Sequence, residues 1–563
     1  MKKESWQQRI NLIFALFFIL MTILGYRLYQ KQITEHSSYR AMAENQYIIK
    51  KDVQAARGQI YASDMFPLAT NLREYQVMAT PRNIKNKQET ADKLSVLIGK
   101  DSKEIFQAIN NDKYYIPALK KGLSKQDGQK IADLKLRGIT MVPEITRTYP
   151  SSELASQILG FVDAEGNGHY GIEGYYNKEL KGIGGEIEDS RDWRGEFFGI
   201  KNNQRPRDGS SVILTINPDI QYEAESVLKD SVEKYEADSG SVVIMDPKSG
   251  KILAMANFPT FDPNNFNKVA KEELGVFNNT TVSGAWEPGS IFKPLIMAAA
   301  IDQGKVEPET EGNFASSVVV DNYKIKTSTG QAYGRETMTQ VLENSDNVAM
   351  VWLSDLLGKE TMSKYIQKFG FGRKTGVELD GENPGNLADY KKWSNSQKAT
   401  ISFGQGITVT PLQITSAIAS IANGGRLMQP YIVDQTIDPN GNKNIHEPKE
   451  VSNVISADAA KKVTGMLISV VEKGHGKKAG VPGYKVAGKT GTAQIPKPGG
   501  GYYPDRHVGS FAGFAPADDP KFVMLVRLDN PKSVEWAESS AAPAFGEIAQ
   551  WLLNYMRVQP TEK

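Results

Sequence analysis

The chain has 563 residues, a formal net charge of +2 and no cysteine. This length allows two to four domains, each with its own core. The near balance of charges favours no nucleic-acid partner, and the lack of cysteine excludes disulfides, thiolate catalysis and Cys-based metal sites. The five histidines are scattered without a His-x-x-x-His pair, so we expect no metal site built from histidine.

An apolar, uncharged run occupies residues 10–26 near the N-terminus. As a helix it would reach roughly 25 Å, close to the minimum for a bilayer core. Basic residues precede it, which predicts a cytoplasmic segment at 1–9 and a transmembrane anchor at 10–29. A cleaved signal peptide is the alternative, but the candidate cleavage site at Ala41–Ala43 lies too far beyond the apolar run.

The next 200 or so residues carry mixed, short patterns. Residues 30–50 are predicted to form a helical stalk, and Ser211–Ile216 a strand. Asn217 and Pro218 are typical of a helix start, and the charged, amphipathic pattern continues to Ala237. With no catalytic constellation in this part, residues 30–237 are interpreted as a mixed pedestal or partner-binding module.

The remaining chain predicts an antiparallel sheet built from both ends of one domain and covered by helices, which is an α+β fold. The domain is expected at 238–557, followed by a C-terminal tail at 558–563. Its predicted strands are Ser241–Met245, Lys251–Met255, Tyr484–Ala487, His507–Ala515 and Lys521–Leu528, and its predicted helices are Leu295–Asp302, Val341–Leu357, Pro411–Ala422 and Ala542–Met556.

A candidate nucleophile, Ser290, stands at the start of a predicted helix with Lys293 three positions later. Residues i and i+3 share a helix face, so the hydroxyl and the amine can meet. A desolvated lysine can act as the base that activates a serine. The same Ser-x-x-Lys spacing occurs at Ser226 and Ser231, which we interpret as solvated positions of a charged helix.

Two further polar motifs complete a possible site. Ser345 and Asn347 form a Ser-x-Asn motif before an apolar helix, where a second hydroxyl could relay a proton and an amide could hold a substrate carbonyl. A plain helix-capping serine is the alternative. Lys-Thr-Gly occurs at Lys374–Gly376, in a glycine-rich loop that we interpret as structural, and at Lys489–Gly491, after a strand-like run.

The second Lys-Thr-Gly suits recognition of an extended, anionic substrate. Lys489 and Thr490 could hold a carboxylate, and Gly491 leaves room for a substrate against the strand edge. The backbone N–H groups of Ser290 and Thr492 could form an oxyanion hole.

In this order, the three motifs resemble those of the class B high-molecular-weight penicillin-binding proteins. Within that family, the short pedestal and the stretch from Arg147 to Gly185 look most like the septal division transpeptidases. The stretches Gln405–Gln413 and Ala487–Gln494 are similar to that family's transpeptidase domain. Upstream, Arg57-Gly58, Arg147–Pro150, Gly171–Gly174 and Asp208-Gly209 resemble its pedestal, the dimerisation domain.

The resemblance implies a penicillin-binding transpeptidase fold, with a five-stranded antiparallel sheet and a helical subdomain. It implies that Lys293 deprotonates Ser290, which attacks the carbonyl between two D-alanines of a peptidoglycan stem peptide, while Ser345 assists the leaving group. An amino group of a neighbouring stem then resolves the acyl-enzyme. β-Lactams should acylate the same serine, and Lys489 should help to keep Lys293 neutral. The resemblance also implies that no metal and no cofactor is needed.

The family also implies location and partners. We expect a single-pass protein of the cytoplasmic membrane, with its N-terminus inside and its catalytic domain outside, serving septal wall synthesis. A SEDS-family glycosyltransferase and divisome proteins are the expected partners, because no glycosyltransferase domain precedes the pedestal. Open alternatives are an elongation or sporulation transpeptidase, a D,D-carboxypeptidase or β-lactamase-type hydrolase, and a non-catalytic penicillin sensor.

Overall fold

The computed structural model describes residues 2–40, 48–114, 116–191 and 197–560. Two compact units are present: Met1–Ala56 with Gly182–Asp208, and Arg57–Lys181 with Gly209–Lys563. The predicted domain limits at 30–237 and 238–557 divide the chain differently and stay predictions.

Helices and strands alternate over the first half of the described chain. They are α1 (Lys2–Tyr29), β1 (Ile48–Val53), β2 (Ile60–Tyr61), β3 (Pro67–Ala79), α2 (Lys87–Ile98), α3 (Ser102–Ile109), β4 (Lys120–Leu123), α4 (Lys125–Asp133), β5 (Ile139–Thr148), α5 (Ser156–Leu159), β6 (Phe161–Val162), β7 (Gly168–His169), α6 (Gly171–Tyr175), α7 (Asn177–Lys181), β8 (Gly185–Arg191), β9 (Phe197–Gln204), β10 (Ser211–Leu214), α8 (Pro218–Lys234), β11 (Ser239–Met245) and β12 (Ile252–Phe258).

The second half of the described chain contains the remaining helices and strands. They are α9 (Thr280–Ser283), α10 (Lys293–Asp302), β13 (Glu311–Phe314), β14 (Ser317–Val320), β15 (Tyr323–Lys326), β16 (Gly334–Thr337), α11 (Met338–Glu343), α12 (Asn347–Lys368), α13 (Asn395–Ile401), α14 (Pro411–Ala422), β17 (Arg426–Met428), β18 (Val433–Ile437), β19 (Lys443–Ile445), β20 (Glu450–Asn453), α15 (Ala457–Glu472), β21 (Ala487–Pro496), β22 (Tyr502–Ala515), β23 (Phe522–Asp529) and α16 (Ala541–Tyr555), with short 3-10 turns at Gly289–Phe292 and Ala537–Ser539 among others.

The first unit contains the apolar helix and a small sheet. Trp6–Thr34 has a mean hydropathy of 2.0 and is the one helix of the described chain long and apolar enough to cross a membrane. Strands β1, β8 and β9 form a three-stranded antiparallel sheet in that order. The predicted helical stalk at 30–50 is therefore wrong from Ile48 onward, because β1 pairs with a strand that lies far away in the sequence.

A second, mixed sheet joins strands from distant parts of the other unit. Its order is β19-β18-β10-β2-β3-β4, and β5 also pairs with β3. The predicted strand at Ser211–Ile216 is confirmed as β10, which lies between β2 on one side and β18 on the other. The sheet therefore combines strands of the predicted pedestal with strands from residues 433–445.

Three of the four motifs that resemble the family's pedestal meet at one buried carboxylate. Arg57 Nε donates to Glu173 Oε2 at 2.6 Å, and Arg147 Nε donates to Glu173 Oε1 at 2.7 Å. The hydroxyl of Tyr149 donates to the same Oε1 at 3.2 Å. Glu173 is fully buried, so these donors compensate a charge that water does not reach. The motifs therefore have a structural role.

The predicted antiparallel sheet is confirmed as a five-stranded sheet in the order β12-β11-β23-β22-β21. Side chains alternate between its two faces, as the twofold repeat of a strand requires. Along β23, Val523 and Leu525 pack into one core with α10 and α14, whereas Met524 and Val526 pack into another with α8 and α16. Both faces are thus covered by helices.

Two helix predictions need correction. The apolar pattern at Val341–Leu357 is not one helix, because α11 ends at Glu343 and α12 begins at Asn347. The α8 helix confirms the predicted start at Pro218, capped by Asn217. However, Ser231 is only 6% exposed rather than solvated, because it lies on the face of α8 that packs against the core.

Candidate active site

Ser290 lies in a sharp turn that leads directly into a buried helix. Gly289 has φ of 59°, which glycine adopts without a steric cost and which allows the tight turn beneath the serine. Residues Gly289–Phe292 form a 3-10 turn, and α10 follows from Lys293. Ile291 and Phe292 are fully buried, so the turn is fixed by packing while Ser290 keeps partial exposure.

Lys293 is fully buried and bonded to the Ser-x-Asn motif. Its Nζ donates to the backbone oxygen of Ser345 at 2.6 Å and to Asn347 Oδ1 at 2.8 Å, and lies 3.1 Å from Ser345 Oγ. Within the described chain, no hydrogen bond joins Lys293 Nζ to Ser290 Oγ. Two N–H groups of a neutral amine satisfy the two carbonyl-type acceptors, which leaves its lone pair available to a hydroxyl.

Burial lowers the pKa of Lys293 well below the ordinary lysine value, and the nearby Lys489 lowers it further. The Asp346 carboxylate acts in the opposite direction. The sequence-based expectation named Lys489 and burial as the two causes. The structure ranks burial first, as expected for a charged group removed from water.

The Ser345–Asn347 turn separates α11 from α12. Ser345 has φ of 56°, an uncommon conformation for a residue with a side chain. Asp346 Oδ1 accepts from the N–H groups of Val348 and Ala349 at 2.6 and 3.3 Å, so the acid caps α12. The capping role belongs to Asp346, whereas Ser345 points its hydroxyl toward Lys293.

Asn347 is held at both ends of its amide. Oδ1 accepts from Lys293, and Nδ2 donates to the backbone oxygen of Lys326 at 3.0 Å. The second hydrogen of Nδ2 remains available for a substrate carbonyl. The strand β15, which ends at Lys326, therefore orients this amide beside the cleft.

The Lys489–Gly491 motif lies within strand β21, at the edge of the five-stranded sheet. The predicted strand at Tyr484–Ala487 is therefore displaced, since β21 begins at Ala487 and carries the motif itself. Lys489 is 1% exposed, and its Nζ donates to the backbone oxygen of Thr490 at 3.2 Å. Burial lowers the pKa of Lys489 to about 7, against the opposing effect of Glu538.

Gly491 is needed for packing. A Cβ atom there would lie 2.8 Å from Ser510 Oγ, 2.9 Å from Ile291 Cγ2 and 3.1 Å from the backbone oxygen of Pro288. The missing side chain thus lets β21 pack closely against the turn that carries Ser290. The expectation that Gly491 also leaves room for substrate stays a prediction.

One cleft brings the predicted polar residues together. Ser290, Ser345, Asn347, Thr490 and Thr492 all line it. Lys293 and Lys489 lie buried beside it and contact these lining residues. The other lining residues are Gly289, Ser328, Phe403, Gln405, His475, Trp536, Ala537 and Glu538.

His475, Trp536 and Glu538 were not singled out from the sequence. His475 Nδ1 and Glu538 Oε2 are 2.8 Å apart at the cleft, and Thr492 Oγ1 accepts from the backbone N–H of Ala537 at 3.1 Å. These residues come from loops without a periodic pattern, so no spacing pointed to them. Only Gln405 lay in a stretch already noted, the run Gln405–Gln413.

The first Lys-Thr-Gly motif and the nearby acid Glu343 do not line this cleft. Lys374–Gly376 is in a loop, where Thr375 Oγ1 donates to Glu382 Oε1 at 2.5 Å, in agreement with a structural role. Glu343, the acid near the Ser-x-Asn motif, accepts a hydrogen bond from Ser469 and does not line the cleft.

Comparisons with known proteins agree with this geometry. A protein-family model described as penicillin binding protein transpeptidase domain matches residues 240–550, and one described as penicillin-binding protein dimerisation domain matches residues 52–214. The chain is 33% identical to Stage V sporulation protein D of Bacillus subtilis (strain 168), over 100% of this chain and 88% of that protein.

Two further similarities cover nearly the same extent. Peptidoglycan D,D-transpeptidase FtsI of Buchnera aphidicola subsp. Schizaphis graminum is 30% identical over 97% of this chain and 94% of its own. A crystal structure of penicillin binding protein 3 from Mycobacterium tuberculosis, complexed with aztreonam, has a TM-score of 0.71 and 29% identity, covering 91% of this chain and 99% of that one.

Proposed function

The chain belongs to the penicillin-binding proteins that carry a dimerisation and a transpeptidase domain, and from this premise we propose that it is a peptidoglycan D,D-transpeptidase. The observation that carries the proposal is the placement of Lys293. This fully buried amine contacts the Ser-x-Asn turn beside a cleft that also contains Ser290 and the Lys-Thr-Gly strand.

In the proposed acylation step, neutral Lys293 accepts the proton of Ser290 Oγ. The oxygen attacks the carbonyl carbon between the two D-alanines of a stem peptide, and the backbone N–H groups of Ser290 and Thr492 stabilise the oxyanion. Lys293 returns the proton through Ser345 Oγ, 3.1 Å from its Nζ, to the nitrogen of the departing D-alanine. The peptide bond breaks as the ester to Ser290 forms.

In the second step, an amino group of another stem peptide attacks the ester. Its proton passes to Lys293 and from there to Ser290 Oγ, which is released as the hydroxyl while a new peptide bond crosslinks the two stems. Earlier, during acylation, Lys489 and Thr490 hold the terminal carboxylate of the donor until D-alanine leaves, and Asn347 holds a backbone carbonyl of the donor. A bound carboxylate would stabilise the charged form of Lys489, whose pKa burial lowers to about 7.

A β-lactam would enter the same step, because its strained amide replaces the D-alanyl-D-alanine bond and its leaving group stays attached. The similar Mycobacterium tuberculosis protein has been crystallised with aztreonam, which supports this expectation. A hydrolase would release the drug by water attack. Glu343, an acid close to Ser345 in the sequence that could activate such a water, accepts a hydrogen bond from Ser469 and does not line the cleft.

We further propose that the protein acts at the division septum. It would be anchored by residues 10–29 with its N-terminus in the cytoplasm, and would work with a SEDS-family glycosyltransferase and divisome proteins. A relative named FtsI supports the division role, while a 33% identical sporulation protein makes a sporulation transpeptidase the second candidate. Depletion that blocks septation in vegetative cells supports the first, and a defect confined to sporulation supports the second.

Intact mass after penicillin exposure tests the mechanism. The wild type should gain the mass of the drug, and Ser290→Ala should gain none. Ser226→Ala, which changes the serine of a competing Ser-x-x-Lys, is the matched control and should still be acylated. Adduct formation by Ser290→Ala, or crosslinking that persists in that variant, would refute the assignment, and rapid loss of the adduct would indicate a hydrolase.

A further inference from the structure

Two carboxyl groups are buried directly behind the Ser345 turn. Glu336, on strand β16, is 3% exposed, and Asp346, between Ser345 and Asn347, is fully buried. Asn344 Nδ2, two residues before Asp346, donates to Glu336 Oε1 at 2.6 Å, and the Asp346 carboxyl raises the pKa of Glu336 by its charge and by hydrogen bonding. Neither acid has an ion-pair partner among the described residues, so the pair needs another means of compensation.

The hydrogen bonds account for half of the four carboxyl oxygens. Asp346 Oδ1 accepts from the first N–H groups of α12, and Glu336 Oε1 accepts from Asn344 Nδ2 at 2.6 Å. In the described chain, Glu336 Oε2 and Asp346 Oδ2 have no donor. Two ionised carboxylates can only accept, so leaving both oxygens unpaired would be costly. One proton between them pairs both.

We propose that Glu336 and Asp346 share one proton and that Glu336 is a positioning residue, which holds the Ser345 turn and limits the negative charge facing Lys293. The inference rests on the proposed function, since it concerns the base of that reaction. Ser345 is held at a positive φ, and its backbone oxygen and hydroxyl both contact Lys293 Nζ. A displacement of Asp346 would therefore move two contacts of the base.

Charge provides the second link to Lys293. The Asp346 carboxylate favours the protonated amine, which cannot act as a base. With the shared proton the two acids carry one negative charge, whereas its loss gives two. Burial raises the pKa of Glu336 to about 7, and Asp346 and Glu343 raise it as well, against the hydrogen bond from Asn344.

The surroundings supply few other charges. The other acid is Glu343 of α11, which accepts a hydrogen bond from Ser469 of α15. The cations are Lys293 of α10 and Lys489 of β21, and Lys489 lowers the pKa of Lys293. Arg335, next to Glu336 in sequence, is exposed and paired with Glu311. The proton is therefore expected to stay on the pair below about pH 7 and to be lost above it.

The test compares acylation rates with penicillin for the full-length wild type, Glu336→Gln and Glu336→Leu across pH. The amide of glutamine can donate to Asp346 Oδ2 without titrating. At about pH 6, the acylation rate of Glu336→Gln should lie within about threefold of the wild-type rate. Above about pH 7 only the wild type loses the shared proton, so the ratio of the Glu336→Gln rate to the wild-type rate should rise by at least about threefold by about pH 8.5. Other ionisations, including that of Lys489, are common to both proteins and cancel in this ratio.

Glu336→Leu should lose at least about tenfold at every pH, because Asp346 Oδ2 is then left unpaired. If Glu336→Leu does not fold, the pH dependence of the rate ratio for Glu336→Gln still tests the proposal. Glu360→Gln, an exposed position of α12 that does not act on Glu336, is the matched control, and its ratio should not change with pH. A pH-independent ratio for Glu336→Gln, or a loss equal to that of the leucine variant, would overturn the proposal. A wild type that is not acylated would instead refute the proposed function.

Discussion

Replacing Lys489 by methionine is predicted to stabilise the fold while it abolishes acylation. The side chain is 1% exposed and has no ion pair in the described chain, so the folded protein carries a poorly solvated amine. Methionine has a similar length and no charge. The residue that we assign to substrate carboxylate binding therefore reduces stability.

The magnitude follows from the pKa. Folding lowers the pKa of Lys489 from 10.5 to about 7, and each unit corresponds to about 1.4 kcal/mol, so the full cost is about 5 kcal/mol. The lost hydrogen bond to Thr490 offsets about 1 kcal/mol of this gain. Because the folded pKa lies below the unfolded one, the cost is complete below pH 7 and disappears as the pH rises toward 10.5.

Thermal unfolding of the two proteins at about pH 6.5 and about pH 10 measures this difference. We expect Lys489→Met to unfold at a higher temperature at the lower pH and the gap to narrow at the higher pH. Lys398→Met is the matched control. Lys398 is also buried but paired with Asp355, so its replacement leaves an acid without its partner and should not stabilise the fold.

A Lys489→Met protein that is no more stable than the wild type at low pH would refute the reasoning. So would a gain in stability that is the same at both pH values, since it would come from packing and not from ionisation.

Three other changes test the remaining geometry. Penicillin acylation should fall at high pH as Lys489 loses its proton. Glu538→Gln removes the carboxylate that raises the pKa of Lys489, so this fall should begin at a lower pH than in the wild type. Gly491→Ala should slow acylation on the order of 100-fold by displacing the Ser290 turn, whereas Gly465→Ala, in open space, should not. Glu173→Gln should reduce the free energy of unfolding by about 3–5 kcal/mol in urea denaturation, because two buried arginines lose their partner.

Each of these has an outcome that would contradict it. An unchanged acylation pH profile would show that Glu538 does not act on Lys489. Equal rates for the two glycine variants would dismiss the close packing of β21 against the turn. The control for Glu173→Gln is Glu89→Gln, which removes an exposed ion pair with Lys93 and should change the free energy of unfolding by less than about 1 kcal/mol. Equal losses of stability in the two variants would show that the buried network does not stabilise the fold.

The sequence predicted the members of the site better than their contacts. Ser290, Ser345, Asn347, Thr490 and Thr492 do line one cleft, because ordered motifs carry over between related folds. The contacts depend on tertiary packing. Lys293 bonds to the Ser-x-Asn turn, 52 residues away, and no local spacing encodes which acceptor a buried amine will reach.

The errors have identifiable causes. The apolar repeat of α12 continues that of α11, so periodicity alone joined two helices, and only the capping carboxylate of Asp346 marks the break. Strand β1 pairs with β8 at a distance that local patterns cannot detect. Glu336 could not be identified from the sequence for the same reason, because its proposed role depends on Asp346, which the fold brings close to it.

The mixed sheet has a consequence for how the chain is made. Strand β10 is bordered by β18, which begins at Val433, so this sheet cannot be completed until more than three quarters of the polypeptide has been synthesised. Until then β10 presents an unpaired edge, a template for association with other chains. The strands of this sheet that are made first must therefore be protected during synthesis, and a fragment ending near residue 237 would keep that edge exposed.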